Sequence, residues 1–254
     1  MEQNIKIIIV TQARYGSTRL PGKVLLKIKD RELLDIHLYR LNKIKSVDRI
    51  IVATSDNVKD DAIRDFCINK QYNYYRGSES NVLDRFYQAV KPHFPTHVVR
   101  VTSDCPLLDP EVVEAVIKCA LVNDVDYCSN TLLDQFPDGQ DCEVIKFSAL
   151  ENAWKNALLD SEKEHVTPYI RKNCNFNGGD KFSSLNFPCV ADYNHVRMTV
   201  DEPADYKLMK TLIGKLGIDL NWRTYTRYIL ENKLNIINKD IIRNEGYLKS
   251  LNNE

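Results

Sequence analysis

The sequence predicts an α/β protein with a mostly parallel sheet that is covered by helices on both faces. The chain has 254 residues, which is enough for one large domain with a substantial core. Apolar, β-branched runs occur at 5–11, 49–54 and 97–102, and a shorter aromatic run lies at 72–75. Helical patterns separate these runs. Alternation of fully apolar strands with helices is typical of a parallel sheet with both faces buried.

The helices are justified by the spacing of their apolar residues. In the clearest case, apolar side chains between 109 and 122 fall on one stripe, and the pair Asp109 and Pro110 precedes them as a favourable N-cap and first-turn residue. The predicted helices of this part of the chain are 31–45, 57–70, 81–91 and 109–122.

The second half of the chain has a different texture. Residues 131–195 are rich in turns and polar residues, and we predict a subdomain, inserted over the edge of the sheet, that serves acceptor binding or dimerisation. Its predicted elements are strands at 142–147 and 183–187 and helices at 148–159 and 161–173. A further strand at 195–200 and a helix from Asp201 onward follow, and a charged, helical tail covers 221–254. We expect residues 1–254 to form a single domain around this insertion.

Composition excludes several classes of protein. The chain has 35 basic and 35 acidic residues and a pI near 6.9, so it is not a general binder of polyanions, and no nucleic-acid partner is expected. No apolar run approaches the ~18 residues of a membrane span, and the N-terminus lacks a signal-peptide pattern. We therefore expect a cytoplasmic protein with no membrane partner.

The seven cysteines do not form a recognisable metal or disulfide pattern. Their number is odd, their spacings are long, and no CxxC pair occurs. We expect reduced thiols that behave as small apolar side chains. Cys105 is the one that lies within a functional motif, and we assign it a packing role without nucleophilic chemistry.

The first strand is followed by a basic loop, QARYGSTRLPGK, at 12–23. Its glycines are Gly16 and Gly22, and its cations are Arg14, Arg19 and Lys23. Backbone N–H groups in a tight loop bind anions, and the cations add positive charge, so the loop predicts a polyphosphate site. The Walker P-loop is excluded, because five residues separate the glycines and Val24 replaces the hydroxyl residue. A solvated basic turn stays open as an alternative.

A carboxylate follows the strand at 97–102. Asp104 comes just after its end and precedes a rigid Cys-Pro pair, so its direction is fixed. Magnesium commonly uses one or two protein carboxylates together with phosphate oxygens, so Asp104 is a predicted metal ligand. A turn or helix-cap role suits Asp109 better. Strand alternation places Arg100 on the same face as Asp104, where it either sets the carboxylate or contacts the acceptor.

Asp201 repeats this arrangement after the run at 195–200. A helix cap is a strong alternative here, because Asp201 precedes the Pro203-containing first turn of a helix. Ligands of open α/β sheets bind at the carboxyl ends of the strands. Since Asp104 and the basic loop lie at the same edge, we favour a metal role for Asp201.

Taken together, these motifs resemble a known family. The loop 12–23 is very similar to that of the CMP-ketodeoxyoctulosonate synthetases and, more loosely, to that of the CMP-sialate synthetases. The order of the motifs resembles the spore-coat polysaccharide biosynthesis (SpsF-type) branch of the cytidylyltransferases, over roughly 5–215. The other motifs are RGSESNVLDRFYQA (76–89), RVTSDCPLLDP (100–110), PDGQDCEV (137–144), EHVTPYIR (164–171) and RMTVDEPADY (197–206).

The resemblance implies a GT-A-like, Rossmann-related three-layer α/β/α sandwich with an inserted dimerisation element, in a homodimer. It implies Mg²⁺ on Asp104 and Asp201. Ser103 departs from the pattern, since typical relatives have glycine before the metal-site acid. The residues that the resemblance assigns to the CTP triphosphate are Gln12, Ala13, Arg14, Gly16, Arg19 and Lys23, and those near the cytosine and ribose are Gly77, Ser78 and Asp84.

These observations predict a cytidylyltransferase that moves CMP from CTP to a sugar or sugar acid and releases pyrophosphate, for surface polysaccharide or glycan biosynthesis. Arg14, Lys23 and Asp104 are the predicted catalytic residues. Two alternatives are a GT-A glycosyltransferase that uses a nucleotide sugar and a catalytically silent nucleotide-binding protein. The candidate acceptor residues are Arg100, Glu143, His165, Arg171 and Arg197. For His165 and Arg171, a packing or helix-end role is equally open.

Overall fold

The computed structural model describes residues 5–251. The strands in this range are β1 (Ile7–Gln12), β2 (Lys27–Ile28), β3 (Arg31–Glu32), β4 (Arg49–Ser55), β5 (Tyr74–Gly77), β6 (His97–Thr102), β7 (Tyr127–Ser129), β8 (Glu143–Lys146) and β9 (Ser184–Asn186). The α-helices in this range are α1 (Leu33–Leu41), α2 (Asp61–Lys70), α3 (Val82–Val90), α4 (Pro110–Asn123), α5 (Phe147–Asn156), α6 (Asp160–His165), α7 (Pro168–Asn173), α8 (Pro203–Leu216), α9 (Trp222–Glu231) and α10 (Glu245–Leu251). The predicted domain and its helical tail extend to residues 1–4 and 252–254, which lie outside the described range.

The central sheet has seven strands in the order β5-β4-β1-β6-β8-β7-β9. Strand β1 lies in the middle and pairs in parallel with both β4 and β6, and β4 pairs in parallel with β5. In this register Gln12 is opposite Thr102. The carboxyl ends of β1 and β6 therefore meet at one edge of the sheet, as the sequence predicts.

Both faces of the sheet are covered. Ile7 and Ile9 of β1 belong to one apolar cluster, and Ile8 and Val10 belong to another, because successive side chains of a strand point to opposite faces. A third cluster joins α8 and α9 to the segment 196–200. The α/β class and the mostly parallel sheet are confirmed. Within residues 5–251, no helix has the length and apolar character needed to cross a membrane.

The turn-rich region 131–195 contributes to the main sheet. Strand β8 lies inside the sheet, between β6 and β7, and is antiparallel to both. Strand β9 forms the edge beside β7. The predicted strands of this region are thus part of the main sheet, because their backbones complete the hydrogen-bonding of β6 and β7. Whether 131–195 acts as a separate acceptor or dimerisation unit stays a prediction.

Two elements differ from those predicted. The helix expected over 161–173 is interrupted between α6 and α7, because Val166 has a φ of 72° and Pro168 starts a new helix. The strand expected over 195–200 is an extended segment without a continuous partner. Its N–H groups bond in turn to different loops: Met198 to the carbonyl of Asp138 at 2.7 Å and Val200 to that of Asp104 at 2.8 Å.

Candidate active site

A cavity of about 460 Å³ opens at the carboxyl ends of β1 and β6. Two predicted motifs reach this cavity. They are the basic loop after β1 and the segment after β6. The remaining walls come from parts of the chain that are distant in sequence. The lining residues fall within the segments 12–24, 79–85, 100–105, 138–143, 164–165, 197–201 and 244–249.

The basic loop has a fixed conformation. Gly22 has a φ of 66°, and a Cβ atom there would lie 2.8 Å from the ring of Tyr15, so only glycine fits. The Tyr15 carbonyl accepts hydrogen bonds from the N–H groups of Ser17 and Gly22, each at 2.9 Å. The Tyr15 N–H donates to the carboxylate of Asp60 at 2.6 Å. Asp60 is buried and also binds Ser55, so it ties the loop to the end of β4.

Several amides of this loop are available to a ligand. Among the acceptors in residues 5–251, none receives a hydrogen bond from the backbone N–H groups of Arg14, Gly16, Thr18 and Arg19. These residues line the cavity. Arg14 adds a side chain that is 62% exposed and lies 3.8 Å from Glu164. Free amides beside mobile cations are the ingredients of an anion site, which favours the polyphosphate interpretation over a solvated turn.

Lys23 lies between the two predicted metal ligands. Its Nζ donates to Oδ2 of Asp104 at 2.8 Å and to Oδ1 of Asp201 at 2.7 Å. Burial by itself would lower the pKa of Lys23, but the two carboxylates outweigh burial and raise that pKa above its usual value. Burial by itself would raise the pKa of Asp104, yet Lys23 holds it well below its usual range. Lys23 and Asp104 are therefore both charged at neutral pH.

This arrangement fits a divalent cation. Asp104 and Asp201 converge on one positive charge, and Mg²⁺ typically takes one or two carboxylates and completes its shell with phosphate oxygens and water. In the described part of the chain, no three His, Cys, Asp or Glu side chains are grouped as a metal site. The pair suits an ion that arrives with a phosphate better than a permanently bound metal. Metal binding by these residues stays a prediction.

Asp201 is not used as a helix cap. Helix α8 begins at Pro203, and the carboxylate of Asp205 accepts hydrogen bonds from the N–H groups of Asp201 and Glu202, at 2.9 and 3.0 Å. The side chain of Asp201 is left to bind Lys23 and, at 2.6 Å, Arg197. The capping alternative that the sequence left open is not supported, because the N-cap of α8 is Glu202, which forms a capping box with Asp205.

The loop that carries Asp104 is held in place by the buried side chain of His37. His37 bonds to the hydroxyl of Thr11 at 3.0 Å and to the carbonyl of Cys105 at 2.9 Å. Burial lowers the pKa of His37 to about 4, so the ring is neutral and its tautomer is set by these two partners. Burial raises the pKa of the Cys105 thiol, in keeping with a packing role. The seven cysteines are all free.

The same cavity carries most of the predicted acceptor residues. Arg100, Glu143, His165 and Arg197 line it. Arg100 forms an ion pair with the buried Glu143, which also accepts a hydrogen bond from Tyr127. Arg171 is absent from the lining, since its guanidinium donates to the hydroxyl and carbonyl of Thr131 at 3.1 and 2.7 Å. Direct contact between Arg171 and an acceptor is therefore not supported.

Comparison with known proteins identifies the family. The model of the family described as cytidylyltransferase matches residues 7–215. The chain belongs to the cytidylyltransferase family. The resemblance drawn from the motifs is confirmed.

Individual relatives agree with this cytidylyltransferase assignment. An uncharacterised protein of Methanocaldococcus jannaschii is 44% identical over 206 residues, 80% of this chain and 82% of that protein. The spore coat polysaccharide biosynthesis protein SpsF of Bacillus subtilis is 36% identical over 216 residues, 83% of this chain and 88% of SpsF. A 3-deoxy-manno-octulosonate cytidylyltransferase of Elusimicrobium minutum is 33% identical over 113 residues, 44% of each chain.

A solved structure extends the likeness to nearly the whole chain. A cytidylyltransferase from Leptospira borgpetersenii serovar Hardjo-bovis superposes with a TM-score of 0.86 at 29% identity, covering 94% of this chain and 100% of that one. The fold of this cytidylyltransferase, including part of the chain after residue 215, is therefore shared with a known structure.

The departure from the family pattern at Ser103 has a structural explanation. The side chain of Ser103 is buried, and its hydroxyl donates to the carbonyl of Gln12 at 2.6 Å. This bond joins the ends of β1 and β6 directly beside Asp104. In this cytidylyltransferase, serine is therefore accommodated at the position and adds a tether between the loop and the predicted metal-site acid.

The predicted cytosine and ribose residues are placed differently from the others. Gly77, Ser78 and Asp84 do not line the cavity. Asp84 is directed away from it, because its carboxylate accepts a hydrogen bond from Nε1 of Trp154 at 2.8 Å. A direct contact between Asp84 and a nucleotide is not supported by this geometry.

Arg85, which sequence reasoning missed, reaches the cavity from the same helix. Its Nη1 donates to the carbonyl of Ser78 at 2.7 Å, and its buried Nε has no acceptor within residues 5–251. Burial lowers the pKa of Arg85 to about 10. The signal available in the sequence was the position of Arg85 beside Asp84 in the motif 76–89. In the structure Arg85 is buried and has no carboxylate within ion-pair distance among the described residues, which is unusual for an arginine.

Proposed function

We propose that the protein transfers CMP from CTP to a sugar or sugar-acid acceptor and releases pyrophosphate, in the biosynthesis of a surface polysaccharide or glycan. One observation carries the proposal. Two carboxylates converge on Lys23 at the rim of a loop that has free amides and two arginines, Arg14 and Arg19. A nucleoside triphosphate with its metal ion is the ligand that needs both features at once.

The reaction is an in-line displacement at the α-phosphorus. An acceptor oxygen forms a bond to the α-phosphorus while the bond from that phosphorus to the bridging oxygen of the β-phosphate breaks. Pyrophosphate leaves with the bond electrons. If the acceptor group is a hydroxyl, its proton passes to solvent. No covalent enzyme intermediate is required, and positioning and charge neutralisation supply most of the rate.

The residues of the chain then have distinct tasks. The amides of Arg14, Gly16, Thr18 and Arg19 bind the β- and γ-phosphates. Arg14 and Lys23 stabilise the negative charge of the departing pyrophosphate. Asp104 and Asp201 hold Mg²⁺, which when bound offsets the charge of the phosphates and screens it from the acceptor. Lys23 lies between the two acids in the free protein, and the phosphates of a bound nucleotide would give its ammonium a further anionic partner.

The relatives support a carbohydrate acceptor. SpsF is named for spore coat polysaccharide biosynthesis, and the Elusimicrobium minutum relative is named for transfer to 3-deoxy-manno-octulosonate. The Arg100–Glu143 ion pair and His165 line the same cavity as the phosphate loop. These groups offer hydrogen-bond donors and acceptors suited to sugar hydroxyls. We infer a homodimer from the family resemblance, as an additional expectation.

The test is a screen of nucleotides and sugars. The protein is incubated with Mg²⁺, one nucleoside triphosphate and a panel of sugars, sugar acids and sugar phosphates. Pyrophosphate release is followed with pyrophosphatase, and products are identified by mass spectrometry. We expect a CMP-linked sugar and stoichiometric pyrophosphate from CTP, with less from UTP. A product that forms from a nucleotide sugar, with no pyrophosphate released from CTP, would point to a glycosyltransferase instead.

A further inference from the structure

The last described part of the chain lines the cavity. Residues 243–251, which we name the C-terminal strap, comprise Arg243, Asn244 and helix α10. The family match ends at residue 215, so the strap lies outside it. Asn244, Glu245, Gly246, Tyr247 and Lys249 of the strap line the cavity beside the phosphate loop. The segment therefore forms one wall of the cavity.

Both ends of the strap are attached to walls of the site. At its start, Arg243 donates to the carboxylate of Asp141 at 2.7 Å and to the carbonyl of Phe136 at 3.2 Å. At its end, Ser250 is hydrogen-bonded to Nε2 of His165 at 3.1 Å. The ring of Tyr247 meets that of His165 edge to face, 5.1 Å between centroids. The strap thus bridges the 137–141 loop and helix α6.

The middle of the strap is tied to the phosphate loop. Glu245 accepts from the guanidinium of Arg19 at 2.9 Å. Arg19 also lies 3.2 Å from Asp201 and 3.3 Å from Glu202, so this guanidinium is surrounded by carboxylates. A triphosphate that binds the loop brings several more negative oxygens to the same cation. Glu245 makes the shortest of these three contacts, and it begins a short helix that Asn244, in the left-handed region with a φ of 57°, joins to the rest of the chain.

We propose that Glu245 is a positioning residue, which holds Arg19 on the strap in the free protein and loses it to the triphosphate when CTP binds. Loss of this ion pair frees the strap between its anchor at Arg243 and its contact with His165. The acceptor end of the cavity then becomes accessible only after the nucleotide has bound. The inference rests on the proposed function, because it assigns the loop to a triphosphate.

The Arg19–Glu245 pair is well placed for such an exchange. Side chains of both residues are partly exposed, at 31% and 28%, so the bond is reachable by solvent and by ligand. Ion pairs of this kind are weak and are readily replaced by a stronger partner. Arginine binds phosphate oxygens in bidentate geometry, which favours the triphosphate over a single carboxylate. Lys249 binds Glu245 at 2.6 Å and keeps that carboxylate satisfied once Arg19 leaves.

Hydrogen exchange tests the movement directly. Amides of residues 245–251 are compared in the free protein, with Mg²⁺ and CTP, and with Mg²⁺ and CMP, which lacks the β- and γ-phosphates. We expect CTP to accelerate exchange in the strap several-fold and CMP to leave it unchanged. Exchange that stays the same or slows with bound CTP would overturn the proposal, because the strap would then be indifferent to the nucleotide or would close on it.

The second test measures the affinity of the variant Glu245→Gln for CTP and CMP by calorimetry. Loss of the competing charge should tighten CTP binding by about three- to tenfold and leave CMP binding unchanged. The matched control is Glu231→Gln, the same change at an exposed position of α9 outside the cavity lining. Weaker or unchanged CTP binding by a folded Glu245→Gln variant would overturn the proposal. If that variant does not fold, hydrogen exchange in the unmodified protein decides.

The outcomes separate this inference from the proposed function. If CTP binds and is turned over while the strap does not respond, the inference falls and the proposed function stands. Binding of CTP by Glu245→Gln but not by the unmodified protein would support a strongly inhibitory strap. If neither protein binds CTP, both proposals fail.

Discussion

Two pairs of acidic residues share the cavity but differ in their electrostatics. Asp104 and Asp201 lie on either side of Lys23, which holds the pKa of Asp104 well below its usual range. Asp138 and Asp141 lie a short distance away. Burial and the charge of Asp141 raise the pKa of Asp138 to about 7, although Arg197 contacts it at 2.5 Å.

The difference lies in how the positive charge is shared. Lys23 is a compact ammonium that is devoted to two carboxylates. Arg197 is divided among Asp138, Asp201 and Asp205, so each acid receives only part of its charge. Asp104 in the first pair is ionised, and the pair is suited to exchange one cation for another. Asp138 in the second pair is partly protonated near neutral pH, which makes it a poor metal ligand and a contributor to pH-dependent stability.

The largest effect is expected when the first pair is broken. Asp104→Asn removes the negative charge of the predicted metal site while keeping its shape, so CMP transfer should fall by at least about a hundredfold. The measurement is the initial rate of pyrophosphate release with the acceptor found in the screen. Asp124→Asn is the matched control, since the side chain of Asp124 is 87% exposed. Full activity in Asp104→Asn would show that the Asp104–Asp201 pair has only a structural role.

A second large effect concerns Lys23 itself. Lys23→Met leaves the Asp104 carboxylate without its basic partner at a site where the lysine side chain is only 10% exposed, so we expect a loss of about 3–5 kcal/mol in unfolding free energy without metal. Added Mg²⁺ should recover part of this loss, because the ion takes the position of the ammonium.

Thermal unfolding with and without Mg²⁺ measures the recovery. The melting temperature should rise more in Lys23→Met than in the unmodified protein. Lys155→Met, on the exposed face of α5, serves as control, and calcium in place of magnesium tests the preference for the smaller ion. An equal response in all three proteins would mean that Lys23 and the metal do not share one position.

The second pair gives a smaller, pH-dependent effect. The pKa of Asp138 is about 7 in the folded protein and about 4 in the unfolded chain, so the folded state binds more protons between these values. Its contribution to stability is complete below about pH 4 and is lost as the pH rises through about 7. The paired Asp104 has the opposite sign, because its contribution is lost as the pH falls below about 4.

Asp138→Asn should remove the first of these contributions. Between pH 5 and 8 the unfolding free energy of the variant should decline less with pH than that of the unmodified protein, by on the order of 1–2 kcal/mol over the range. Urea unfolding at each pH provides the measurement, with Asp124→Asn again as control. A decline as steep as in the unmodified protein would place the titrating group elsewhere.

The smallest effect on the unfolding free energy is expected at the Arg14–Glu164 contact, which lies outside both acidic pairs. Arg14 and Glu164 approach to 3.8 Å with exposed side chains of 62% and 43%. Glu164→Gln should therefore change the unfolding free energy by less than about 0.5 kcal/mol. Urea unfolding at neutral pH tests this, and a loss of 1 kcal/mol or more would show that the rim of the cavity is as tightly coupled as the acids inside it.

The comparison also shows what the sequence could reveal. The parallel half of the sheet is predictable, because each apolar run ends where its functional residue begins and parallel strands end at one edge. Lys23 and Asp104 follow from that rule. Asp201 was predicted to follow a strand that does not form, yet it reaches the site because the backbone of Val200 bonds to Asp104.

Other features depend on contacts that no local pattern encodes. Strand β7 is short, and its place in the sheet depends on pairing with β8 and β9. The direction of Asp84 is decided by Trp154 on another helix, and neighbouring Arg85 consequently faces the cavity. The strap was predicted as helix, but its position over the site follows from ion pairs with residues more than one hundred positions away, such as Asp141 and Arg19.

The most direct test of the account is the affinity of the protein for CTP as a function of Mg²⁺, measured by calorimetry beside CMP. If the basic loop binds the triphosphate and Asp104 and Asp201 bind its metal ion, Mg²⁺ should tighten CTP binding by at least about tenfold and leave CMP nearly unaffected. An affinity for CTP that equals that for CMP and does not change with Mg²⁺ would contradict the account.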